Sequence, residues 1–191
     1  MEEPQILSFA SQQELLLWLE ENHRASPGIW LRFAKKGSGI PSVTYPEAVD
    51  AALCWGWIDA QVKSESATTY RQRFTPRGRR SIWSKINREK VAKLIAEGRM
   101  QPPGLAEVER AQADGRWDAA YDSPRTAETP PDLAAALAEN PAAAAHYAGL
   151  KNQNRYSILF RLQTVKRAET RARRIAEFVA MLGRGETPYA G

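Results

Sequence analysis

Between Trp55 and Asn87 the chain reads WGWIDAQVKSESATTYRQRFTPRGRRSIWSKIN, the stretch where indole, guanidinium and hydroxyl side chains are most densely mixed. Guanidinium groups bind carboxylates and phosphates in a planar, bidentate way, and Trp and Tyr offer flat faces for stacking. The residue types here are those an anion or nucleobase site needs. From Tyr70 to Arg99 ten Lys/Arg stand against two acids, Glu89 and Glu97. A helix expected to begin at Ser81 or Ser84 would add unpaired backbone N–H groups close to Arg77, Arg79 and Arg80. Ser81, Ser84 and Asn87 can form a hydrogen-bonding rim, and Trp83 and Tyr70 can form stacking faces. The candidate ligand-binding set is therefore Trp55, Trp57, Asp59, Tyr70, Arg73, Arg77, Arg80, Ser81, Trp83, Ser84 and Asn87. Its ligand is expected to be an anionic small molecule or a phosphate group. The competing structural reading has Ser84 capping a helix, Trp83 in the core and the arginines solvated or paired with acids. Asp59 follows two Trp residues and is expected to pair with Arg73 or Arg80.

Charge alternates in blocks along the chain. Residues 1–69 carry five basic and nine acidic side chains, 100–140 three and eight, and 151–184 nine and two. If the basic blocks 70–99 and 151–184 share a face, nucleic acid becomes the alternative partner, contacted by Arg71, Arg79, Lys85, Arg167, Arg171 and Arg174.

Catalytic constellations are not evident and no catalytic residue is assigned; an enzyme acting on a phosphorylated or carboxylated small molecule is the third reading, for which Asp59 is the one titratable candidate. His23 ends an acidic helix, His146 sits in an Ala-rich one, and Cys54 beside Trp55 reads as a small core hydrophobe. The single Cys excludes an intrachain disulfide, and no Cys/His spacing suggests a metal site. No cofactor is expected, because GSG at 37–39 is too weak a signal for a phosphate loop. The acidic N-terminal stretch lacks the features of a signal peptide, and no apolar run approaches the ~20 residues of a membrane span. The expectation is a cytoplasmic protein with little tendency to bind membranes.

The elements that must position these residues can be read from periodicity. Ile6–Ala10 suggests an edge strand, and Ser11 with Glu14 suggests a capping box for a helix to about Glu21, burying Leu15, Leu16, Trp18 and Leu19. Ile29, Leu31 and Phe33 alternate with Trp30, Arg32 and Ala34 as in a strand. Thr44, Pro46 and Glu47 open a helix that is expected to end in Trp55–Asp59. Residues 66–75 read as a second strand, with Thr69, Arg71 and Arg73 on one face and Tyr70, Gln72 and Phe74 on the other. A helix to about Glu97 then carries Ile86, Val91, Leu94 and Ile95 inward, and another covers Leu105–Ala113. Further helices span Asp132–Glu139 and Ala142–Gly149, and the apolar repeat Ile158, Leu162, Val165, Ala168, Ala172, Ile175, Leu182 suggests one helix from Gln153 to Leu182. The fold class is α+β: a small, mainly antiparallel sheet with packed helices, followed by a helical C-terminal part. The expected organisation is an α+β domain over 1–113, an acidic linker over 114–131 and a helical part over 132–191.

The run LCWGWIDAQ, followed by TYRQRFTPRGRRSIWSKINREKVAKLIAEGRM, resembles the bacterial YdeI/OmpD-associated family, whose members are also called bacteriocin-protection proteins. The segment TVKRAETRARRIAEFVAMLGRGE is similar to the end of that family. Positions matching its central motif are Trp55, Gly56, Trp57, Asp59, Tyr70, Arg73, Phe74, Arg77, Arg80, Ser81, Trp83, Ser84 and Asn87. The resemblance implies protection against antimicrobial peptides or envelope stress, and implies no particular reaction.

Overall fold

The structure, a computed structural model, describes residues 4–189. By its contacts the chain divides into two compact units: the chain up to Trp83 together with Asn87–Asp118, and Ser84–Ile86 together with the chain from Ala119 onward. The stretch 114–131 is thus shared between them, and it carries the buried Arg116, Ala120 and Ser123.

The first unit is built on a four-stranded sheet of β1 (Ile6–Ser8), β2 (Ile29–Ala34), β3 (Trp57–Ser64) and β4 (Thr69–Pro76), ordered β1-β2-β4-β3. β1 runs parallel to β2, and the other two pairings are antiparallel. Between the strands come α1 (Gln12–Asn22) and α2 (Tyr45–Cys54), and after them α3 (Lys85–Ala96) and α4 (Pro102–Ala113). α1 starts where expected: Ser11 Oγ accepts from Glu14 N, and the Glu14 carboxylate accepts from Ala10 N. The start of α2 is closed in the same manner by Thr44 N–H and Oγ1 donating to Glu47.

Alternation decides which way the strands face. Ile29, Leu31 and Phe33 of β2, Phe74 of β4 and Trp57 of β3 are all buried, together with Leu15 and Leu19 of α1 and most of α2. Trp18 is half-buried, and its ring edge meets Trp57 at 5.8 Å. In α3 the inward residues are Val91 and Leu94, whereas Ile86 and Ile95 are exposed.

Trp55–Asp59 does not end a helix, as the sequence suggested. α2 stops at Cys54, Gly56 takes the left-handed conformation at φ +74°, and β3 begins at Trp57. Only glycine adopts that conformation without strain, and it fits here for a second reason: a Cβ would lie 2.9 Å from the Pro103 carbonyl oxygen.

The second unit contains α5 (Pro131–Ala138), α6 (Pro141–Ala148), α7 (Asn152–Gln163) and α8 (Ala168–Gly183) around a core that includes Leu133, Leu137, Tyr147, Ile158, Leu162, Phe178 and Leu182. The single helix expected from Gln153 to Leu182 is two. α7 ends at Gln163, and two carbonyls of its last turn accept from α8: Arg171 Nη1 donates to Leu162 O at 2.8 Å and Arg174 Nη1 to Arg161 O at 2.8 Å. The apolar repeat survives the break because both helices turn Ile158, Leu162, Ile175 and Leu182 into one core. Among the described residues no helix is long and apolar enough to cross a membrane.

Candidate functional site

In a sheet, directly opposed residues share a face. Trp30 pairs with Arg73, Arg32 with Arg71, and Lys63 also with Arg71, so these five side chains lie on the face opposite Leu31 and Phe33. Lys63 Nζ lies 4.8 Å from the centre of the half-buried Trp30 ring, and the Arg71 guanidinium carbon lies 5.9 Å away. One acid enters the group. Glu65 accepts two hydrogen bonds from Arg32, at 2.6 and 2.8 Å, and lies 3.3 Å from Arg71 Nε. The Arg32 hydrogen bond is the main reason its carboxyl is held down at about 2, with further help from Thr69 and from the charges of Arg32 and Arg71. Arg73 Nη2 donates to Pro27 O at 3.3 Å, while its Nη1 is buried with no hydrogen-bond partner. Burial lowers the pKa of this guanidinium. This face therefore presents four cations and one acid around an indole.

A second cluster holds the loop 77–83. Arg77 is buried, its guanidinium carbon lies 3.5 Å from the centre of the Trp83 ring, and its Nη1 donates to Ile82 O. Arg116, also buried, is gripped by Asp114 and donates from Nη1 to Ser81 O at 2.7 Å. Arg110, paired with Glu107, donates to Gly78 O at 3.3 Å. Burial pushes the Glu107 carboxyl above its usual range, although Arg110, Arg77 and Arg116 all pull the other way. Ser81 Oγ accepts from Gly78 N and closes the turn, and Trp117 packs at 4.9 Å against Trp83. Three guanidinium groups thus fix the loop carbonyls of Gly78, Ser81 and Ile82, leaving Arg79 and Arg80 exposed at the tip.

The remaining predicted residues lie elsewhere. Asp59 does not pair with Arg73 or Arg80; its Oδ2 accepts from Tyr45 OH at 2.8 Å and Gln72 Nε2 at 2.7 Å. Arg73 cannot reach it because the two residues face opposite sides of the sheet. Burial first, then the Asp59 charge, raises the pKa of the Tyr45 hydroxyl. Tyr70 stacks on Phe33 at 5.1 Å, Trp57 donates from Nε1 to His23 O, and Trp55 lies 4.6 Å from the His23 ring. Ser84 pairs with Tyr121 in a short parallel bridge, and Asn87 is half-buried in the first turn of α3. At the start of α3, Lys85 N–H already donates to Tyr121 O, and Lys85 Nζ is 2.7 Å from Asp122. Of the residues in the second basic block, Arg171 makes a bidentate pair with Asp132, Arg174 caps α7, and Arg167 is exposed before α8.

Structure thus brings together Arg77, Ser81 and Trp83 in the loop brace, and Arg71 and Arg73 on the basic sheet face. Trp30, Arg32 and Lys63 were missed as members of that face, although the alternation IWLRFA already put Trp30 beside Arg32. Arg110, Arg116 and Trp117 gave no such signal, since they reach the loop from more than 25 positions away.

The fold and these clusters define a two-unit α+β protein. The chain belongs to the family described as Domain of unknown function (DUF8412), whose model matches residues 7–107 and so includes the basic sheet face. Residues 126–185, which hold the four-helix core of the second unit, match the model of the family described as Bacteriocin-protection, YdeI or OmpD-Associated. Neither curated proteins nor solved structures gave a match.

Proposed function

We propose that this bacteriocin-protection-like protein acts by binding an anionic ligand on the basic face of its sheet. The observation that carries this reading is the Trp30 ring with Lys63 and Arg71 both beside it, on a face where Arg73 keeps an unmatched donor. A buried N–H without a partner costs stability that an anion would restore. Glu65 neutralises only part of the charge, leaving an excess of cations to attract a phosphate or carboxylate.

A second reading, single-stranded nucleic acid, is favoured by Trp30 in particular. A half-buried indole among cations suits stacked bases with phosphates beside them, and Arg71 and Arg73 repeat along β4 at about 6.8 Å.

The test titrates the full chain with inorganic phosphate, ATP and a labelled single-stranded oligonucleotide at about 50 and 200 mM salt. Lys63→Gln and Arg73→Gln are expected to weaken binding without unfolding the protein. Steep salt dependence, with little competition from phosphate, would identify nucleic acid. Binding that persists in the double variant would place the ligand elsewhere.

A further inference from the structure

We infer that the second unit carries a separate binding site for a small aryl carboxylate, in a groove of about 480 Å³ walled by Tyr156, Phe160 and Tyr189 with Arg161 at its edge. It does not depend on the basic sheet face of the first unit, so the two readings stand or fall independently.

The groove has the size and lining of a small-ligand site, in which aromatic walls supply most of the contact and a few polar groups fix orientation. The Tyr156 and Phe160 rings stand 6.0 Å apart at 43°, and the Tyr121 ring meets Phe160 at right angles 4.9 Å away, which fixes this aromatic wall. Tyr189 also lines the groove, and its backbone is held in place: its N–H donates to Asn154 Oδ1 at 3.0 Å, and its carbonyl accepts from Asn154 Nδ2 and Thr187 Oγ1. Arg161 reaches over this wall, with its guanidinium carbon 5.8 Å from the ring centre. No carboxylate among the described residues pairs with Arg161.

The polar groups say which ligand would fit. Ser157 lines the groove, is 8% exposed, and its Oγ has no hydrogen-bond partner. Such a hydroxyl costs stability in the empty protein and gains a partner when a ligand oxygen reaches it. The Tyr156 hydroxyl is already committed to Asp122 O at 2.9 Å, and burial pushes its pKa up to about 12, so it stays neutral. Among the described residues, the one formal charge lining the groove is that of Arg161, which disfavours a cation and pairs with an anion. A flat ring against the aromatic walls, with its carboxylate on Arg161 and an oxygen near Ser157, matches the apolar lining, the charge and the unpartnered hydroxyl of the groove.

The experiment titrates benzoate, 4-hydroxyphenylacetate and indole-3-acetate into the full chain, following amide resonances and heat. Acetate tests charge without a ring, and 4-methylphenol tests a ring without charge. At least one of the aryl acids is expected to shift resonances of α7 and of the segment around Tyr189, at least about tenfold more tightly than 4-methylphenol, as a charge-assisted pair would give. Acetate should produce no saturable shift. Arg161→Gln should remove that advantage, and Ser157→Ala should weaken binding while leaving the melting temperature equal or higher. A merely structural serine would not produce that combination. Failure of all three acids to bind, shifts centred elsewhere, or equal binding by Arg161→Gln would overturn the assignment.

Discussion

The Arg77 guanidinium lies over the Trp83 ring at 3.5 Å, with both side chains more than nine-tenths buried. Two residues of the most basic stretch in the chain are thus part of the interior. Arg77 donates to Ile82 O while Arg116 and Arg110 hold Ser81 O and Gly78 O, so the loop's shape rests on guanidinium groups instead of aliphatic packing. Removing the indole should therefore damage the fold: Trp83→Ala is expected to cost about 3–5 kcal/mol in urea unfolding, and Trp83→Phe less. Arg77→Lys should recover little of the loss seen in Arg77→Ala, since an ammonium neither stacks flat nor forks. A Trp83→Ala protein within about 1 kcal/mol of the parent would show that the stack is incidental.

Gly104 makes a sharper steric prediction. In α4 it packs against the end of α2 so closely that a Cβ would lie 2.3 Å from Cys54 O and 2.8 Å from Leu53 O. Backbone cannot yield as a flexible side chain can. Gly104→Ala is expected to destabilise by about 1–3 kcal/mol, despite the better helix propensity of alanine. Gly149→Ala, whose nearest neighbour would be 3.7 Å away, serves as the control and should change little. Equal thermal shifts for the two variants would contradict the close approach of α4 to α2.

Glu65 should contribute to acid sensitivity. Its carboxyl is held at about 2, compared with 4.5 for the free group. A folded pKa below the unfolded one means the stabilisation is present above pH 4.5 and is lost as the pH falls through the interval to about 2. The difference in melting temperature between the parent and Glu65→Gln should therefore shrink across that interval. A difference that stays constant from neutral pH to the acid limit would count against the Arg32 and Arg71 pairing.

Cys54 is expected to be inert in the folded protein. It is 1% exposed, and burial is the main cause pushing its thiol pKa up to about 11, so at pH 8 roughly one molecule in a thousand carries the thiolate. Iodoacetamide should label it only as the protein unfolds, with the labelling curve tracking loss of structure in urea. Alkylation of the native protein at the rate of a free thiol would mean that α2 opens far more readily than its packing implies.

The pattern of residues was enough to determine much of the local structure. The alternation of IWLRFA and SATTYRQRFT placed β2 and β4 and the basic side of β4, because a strand's two-residue period is carried by the residues themselves. Ser11 and Thr44 marked helix starts for a similar reason: capping is satisfied within a few residues. The period of three and four in the last sixty residues showed which side of the helices is buried, but not where an axis breaks. That break depends on Arg171 and Arg174 reaching back to the carbonyls of α7. Tertiary structure alone decided how the arginines divide. Arg77 and Arg79 stand two residues apart in one basic run, yet one is buried against Trp83 and the other is exposed, because the groups that make burial tolerable, the Trp83 ring and the Glu107 carboxylate of α4, are brought to Arg77 by the tertiary fold. Asp59 found Tyr45 and Gln72 instead of an arginine for the same reason: strand register fixes which face a side chain occupies, and that face fixes which partners lie within reach.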